Sequence, residues 1–89
     1  MELLYGIEIK KDKLIFIVNS NGCTDKDSFE LKKVQNNQNW EIELIRIKED
    51  NCKRMPFPLR IEYSESEFNS NGMEIIINNK FSYLPFVKH

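Results

Sequence analysis

Apolar residues recur at every second position through short stretches of this chain, and nowhere at the three-and-four spacing of a long amphipathic helix. Tyr5, Ile7 and Ile9 alternate with Gly6, Glu8 and Lys10, and Phe29 and Leu31 with Glu30 and Lys32. The same step carries Trp40, Ile42 and Leu44, then Leu59, Ile61 and Tyr63, then Met73, Ile75 and Ile77. Alternation places every second side chain on one face of a strand, so each stretch has an apolar side to bury. Turn formers punctuate the stretches: Lys11-Asp12, Asn19 to Gly22, Gln35 to Asn39, and Asn69 to Gly72. Six or seven short strands fit in the 89 residues as one domain, residues 1–89. The pattern predicts an all-β fold, a small antiparallel β-sandwich or a partly open barrel, with one or two single-turn helices.

Finer features refine that expectation. Folding at Lys11-Asp12 pairs Ile9 with Leu14, Ile7 with Phe16 and Tyr5 with Val18 on one face. Ile15 and Ile17 then fall on the other face, so this second strand belongs inside a sheet. Pro56 and Pro58 flank Phe57 and confine that segment to an edge or a linker, because proline cannot donate to a ladder. At Leu44-Ile45 the apolar phase slips to the other parity, which predicts a bulge or a crossing between sheets. Thr24 followed by Asp27, and Ser64 followed by Glu67, are capping-box spacings that predict one helical turn each. The tail from Phe81 to Val87 is apolar for a chain end and predicts packing back onto the domain, with Pro85 holding it extended.

The two cysteines sit almost symmetrically about the Gln35 to Asn39 turn. If Phe29 to Val34 and Trp40 to Ile47 are arms of a hairpin, facing residues have numbers summing to about 74, and Cys23 and Cys52 sum to 75. The pair therefore faces itself just beyond the open end of the hairpin. A disulfide between them is the leading expectation, since facing residues of an antiparallel pair lie at about the Cα separation a bridge needs.

Thirteen basic residues oppose fourteen acidic ones for a formal charge of -1, with no basic stripe, so nucleic acid is not the expected partner. Arg46, Lys48, Lys53, Arg54 and Arg60 are the only basic group that could converge in space, and a solvated surface is the better reading of them. No run approaches the roughly 18 apolar residues of a membrane span. The chain opens Met-Glu and enters a strand pattern at Leu3, without the pattern of an export signal. A disulfide nonetheless belongs to oxidising compartments, so either the sequence is a mature form or the chain is cytoplasmic with both thiols reduced.

The residues offer no catalytic set. A cysteine nucleophile needs a base, and the single histidine, His89, is terminal. Zinc would need Cys23, Cys52, His89 and an added Asp25 or Asp50, without any Cys-x-x-Cys element. Glu62, Glu65 and Glu67, like Asp25 and Asp27, read as solvated faces, and three glycines supply no phosphate loop. No enzyme activity, cofactor or metal is expected. A protein partner is, because Phe57, Tyr83 and Phe86 beside Arg54 and Arg60 are the residue types of interface hot spots; the alternative is that these rings plug the end of the sandwich.

Asn21-Gly-Cys-Thr-Asp-Lys-Asp-Ser-Phe29, followed by Leu44-Ile-Arg-Ile-Lys-Glu-Asp-Asn-Cys52 and later by Ile61-Glu-Tyr-Ser, resembles a group of small uncharacterised bacterial proteins, many of them exported. They share a Cys-Thr-x-x-x-x-Phe element and an Arg-x-x-x-Asp-x-Cys element. The resemblance covers roughly residues 15 to 68 and implies that Cys23 and Cys52 act as a pair outside the cytoplasm. It implies no activity. Together these readings give a non-enzymatic, disulfide-stapled β domain, a binding or structural module of a bacterial envelope or secreted protein, periplasmic or secreted. The alternative is a small cytoplasmic inhibitor or adaptor, bacterial or phage, that binds a larger protein through its aromatic and basic surface.

Overall fold

Alternation does produce strands, and they form two three-stranded sheets. The computed structural model describes residues 2–36, 39–68 and 74–82. Strands β1 (Gly6–Ile9), β2 (Lys13–Ser20) and β5 (Phe57–Ser64) make the first sheet in the order β1-β2-β5. Strands β3 (Phe29–Asn36), β4 (Asn39–Arg46) and β6 (Glu74–Ile77) make the second in the order β3-β4-β6. The sheets stack as a sandwich and do not close. Leu14, Phe16, Val18, Ile61 and Tyr63 of the first sheet meet Phe29, Ile42 and Leu44 of the second, and Leu4 and Phe68 complete the core. Phe16 meets Tyr63 edge to face at 5.8 Å, the arrangement ring quadrupoles favour.

The first hairpin has the expected register, Ile7 facing Phe16 and Ile9 facing Leu14. β2 is the central strand, and Ile15, on the face away from the shared core, is buried as well. β5 is an edge strand whose first residues are Phe57 and Pro58, as the flanking prolines required. In the second hairpin Phe29 faces Arg46 and Asn36 faces Asn39, so facing numbers sum to 75 and the cysteines continue the register.

Three details differ from the sequence reading. That register runs unbroken through Leu44 and Ile45, so the slip is no bulge: Ile45 lies half-buried on the outer face and Ile47 is exposed beyond the strand end. A lone surface isoleucine costs a sandwich little. β6 runs parallel to β4, against the antiparallel expectation, because the chain enters it from the other sheet and not by a hairpin from its neighbour. Its described part is also short, Glu74–Ile77. Finally, the turn before Phe29 is a 3-10 turn, Lys26–Ser28, capped reciprocally by Asp25 and Ser28 instead of Thr24. The second turn keeps its expected cap: α1 (Glu65–Phe68) follows Ser64, whose N–H donates to Glu67 Oε2 at 2.8 Å.

Asn79, buried just beyond β6, continues the second sheet with its side chain. Its Oδ1 accepts the Leu44 N–H at 2.8 Å, and its Nδ2 donates to the carbonyls of Leu44 at 2.8 Å and Glu2 at 2.6 Å. The chain start runs alongside, with the Glu2 N–H donating to Leu44 and Leu4 bridging in parallel to Phe81. The backbone of Phe81 and Ser82 thus returns to the domain, while the Phe81 side chain stays 51% exposed; the rest of the tail, with Tyr83, Pro85, Phe86 and His89, lies outside the described residues.

Candidate functional site

Two loops cross from one sheet to the other at the same end of the sandwich: 21–28 between β2 and β3, and 47–56 between β4 and β5. Cys23 and Cys52, one in each, are joined by a disulfide with Cα atoms 5.7 Å apart. Their meeting follows from the β3-β4 register, which brings the two loops off the hairpin side by side. Gly22, beside the bridge, lets the Arg54 side chain approach. Its φ of 113° is a conformation other residues rarely adopt, and a Cβ there would stand 2.8 Å from Arg54 Cδ and 3.4 Å from Cys52 Cβ.

Beside the bridge, the half-buried Asp50 carboxylate gathers the donors that the two loops leave over. It accepts the Asn21 N–H at 2.7 Å, the Thr24 hydroxyl at 2.6 Å, and the N–H groups of both Cys23 and Cys52 at 3.2 Å. One side chain therefore holds the backbone of both cysteines. The Thr24 hydroxyl, with the N–H groups of Asn21, Cys52 and Cys23 adding to it against the opposing effect of burial, keeps Asp50 down at about 2, below the usual carboxylate range.

Thr24 extends the network, accepting from Arg46 Nη1 at 3.1 Å while it donates to Asp50. Arg46 also grips Glu2 through Nε and Nη2, at 3.2 and 2.8 Å, and donates to the carbonyls of Asn19 and Lys48. Its plane lies over the Phe29 ring, 4.7 Å from the centroid. Cys23, Thr24 and Phe29 from one stretch of sequence thus converge on Arg46, Asp50 and Cys52 from another.

Each expected partner-binding residue has a definite place, save those outside the described residues, Tyr83 and Phe86. Arg54 lies over the half-buried Phe57 ring at 5.3 Å, and Met55 between them is 84% exposed. Arg60 does not join them. Strand alternation puts it on the opposite face of β5, where it pairs with Glu8 and lowers that carboxyl's pKa. The basic residues form no single patch: Arg46 is turned into the loop network, Arg54 onto Phe57 and Arg60 onto Glu8.

The cysteine pair is legible in the sequence; Thr24, Phe29 and Arg46 as its supports are not, and Asp50 enters there only as an added zinc ligand. Ligand atoms of Cys23, Asp50 and Cys52 do lie within 4.8 Å of one another, with both sulfurs bonded to each other and the carboxylate already holding loop donors. Asp25, the other carboxylate considered, caps the 3-10 turn. Glu67 is paired with Lys26 at 2.6 Å, a hydrogen bond that with the Ser64 N–H lowers its pKa, and Glu62 lies 3.8 Å from Lys13. No helix among the described residues is long and apolar enough to cross a membrane. Compared with known proteins, the chain matches no family model, no curated protein and no solved structure.

Proposed function

We propose that this chain is a non-enzymatic, disulfide-stapled β domain serving as a binding or structural module of a bacterial envelope or secreted protein, with another protein as its partner. One observation carries the reading. The polar groups gathered at Cys23 and Cys52 direct their hydrogen bonds to each other and to loop backbone, as a joint between two loops requires. The loop closed by the bridge, with a sequence separation of 29, is worth about 3 to 4 kcal/mol in the chain-entropy model, a large share of the stability of so small a domain. Such a bond persists where the surroundings are oxidising. The resemblance carried by the two cysteine elements supports the same compartment. The partner-facing surface is the segment Arg54 to Phe57, where an arginine on an aromatic ring adjoins an exposed methionine.

Intact-mass measurement on protein taken from its own cells, thiols blocked at lysis, tests the assignment. A deficit of about 2 Da that reductant removes is the expected result. Two blocked thiols would overturn it and favour the small cytoplasmic inhibitor or adaptor, which would use the same Arg54 to Phe57 surface.

A further inference from the structure

The outer edge of β5 is open for only a short distance, and that distance is self-complementary. In an antiparallel ladder, residues alternate between bonding to one neighbour and to the other side. The Lys10 N–H donates to the Lys13 carbonyl, so Lys13, Ile15 and Ile17 of β2 face β1. The Glu65 N–H donates to the Asp12 carbonyl, which keeps the same alternation between β2 and β5. Phe57, Leu59, Ile61 and Tyr63 therefore bond to β2, while Pro58, Arg60, Glu62 and Ser64 turn their backbone groups outward. Pro58 has no N–H, and the Ser64 N–H is held by Glu67 Oε2. Among the described residues of this edge, Arg60 and Glu62 alone have both backbone groups without a partner. An open groove of about 350 Å³ runs past them, lined by Leu59, Ile61, Thr24 and Lys26. The edge strand β3, by contrast, carries an inward-facing charge, Lys33 opposite Ile42, whose Nζ reaches the Glu67 carbonyl at 2.7 Å.

We infer that a second copy of this chain adds to this edge, β5 against β5, antiparallel about a two-fold axis at Ile61. In that register Arg60 lies opposite Glu62 of the second copy and Glu62 opposite its Arg60, each pair exchanging N–H and C=O bonds. Sliding by one residue on each strand in either direction sets Arg60 against Arg60 or Glu62 against Glu62. It also sets one of them against Pro58, which lacks a donor, or against Ser64, whose N–H is taken. Backbone satisfaction and charge pairing thus select the same register, and a two-fold axis closes the assembly at two copies. The two first sheets become one continuous sheet, and the half-buried Leu59 gains cover from Tyr63 of the second copy.

Sedimentation equilibrium across a wide concentration range tests the inference. The full chain is expected to associate reversibly from 10.6 kDa to twice that mass. Arg60→Glu should weaken association about tenfold or more, since both cross-strand pairs become repulsive. The exchanged variant Arg60→Glu with Glu62→Arg should restore it. Amide exchange supplies a readout independent of the charges: the Arg60 and Glu62 N–H groups should be protected at high concentration and exposed on dilution. A monomer at millimolar concentration overturns the inference, leaving the edge to another protein's strand. So does a dimer indifferent to Arg60→Glu, or one that the exchanged variant fails to restore while its circular dichroism stays native.

Discussion

Asp50 and Asn79 do the same work at two places in the sandwich, and the difference between them shows what selects a polar residue for a joint. At the loop end, the backbone offers surplus donors: the N–H groups of Asn21, Cys23 and Cys52 point at one spot, and an acceptor-only carboxylate collects them. Beyond β6, the backbone offers a mixture, the Leu44 N–H together with the carbonyls of Leu44 and Glu2. An amide matches it, one oxygen for the donor and one nitrogen for the two acceptors. The two sites also differ in what stands behind them. Asp50 is half-buried and backed by a covalent bond; Asn79 is 5% exposed and is backed only by hydrogen bonds, among them those joining Leu4 to Lys80 and Ser82.

The covalent bond should give the largest effect. Cys23→Ala and Cys52→Ala are each expected to lower stability by about 3 to 4 kcal/mol, and the double variant to be no worse than either, because one bond is lost in all three. Denaturant titration of the three variants checks this. Additive losses would mean that each cysteine contributes separately and that the bridge is not what they share. Next in size is Asn79→Ala, expected to cost about 2 to 3 kcal/mol by orphaning the buried Leu44 N–H and removing a donor from two carbonyls. Asn79→Asp should be worse than alanine, since a carboxylate there would face two carbonyl oxygens. If aspartate proved the milder change, the matching of residue type to backbone polarity would fail at this site.

The strands were legible because alternation is a local pattern, and so was the first hairpin, whose turn is short enough to fix its register. The staple was legible because the hairpin register propagates into the loops: Phe29 facing Arg46 leads on to Cys23 and Cys52. Asn79 was not. Its partners lie 35 and 77 residues away, and nothing in Ile-Asn-Asn-Lys distinguishes a backbone surrogate from a turn. Thr24 and Arg46 stood in view inside the two cysteine elements, but their hydrogen bond to each other depends on a loop crossing that no periodicity encodes. The parallel run of β6 was hidden for a related reason. Alternation gives a strand its faces and says nothing of its direction.

Acid separates the two joints, and it is the finer test of the comparison. Asp50 titrates from an ordinary value of 3.8 in the unfolded chain to about 2 in the fold. Its folded value is the lower one, so the stabilisation it confers is complete above about pH 4 and is lost as pH falls from there to about 2. Asp50→Asn should therefore lower the melting temperature at neutral pH by less than Asn79→Ala does, since an amide oxygen still accepts one donor and the disulfide still holds the loops. The gap between wild type and this variant should then close as the pH approaches 2, whereas the gap between wild type and Asn79→Ala should stay constant, because an amide does not titrate there. Glu8 and Glu67, whose pKa values are also lowered, are common to all three proteins and cancel in the differences. Melting curves taken at intervals between pH 7 and pH 2 decide it. An Asp50→Asn gap that persists undiminished into acid would mean that the charge of the carboxylate is not what gathers the loop donors, and that its shape alone suffices.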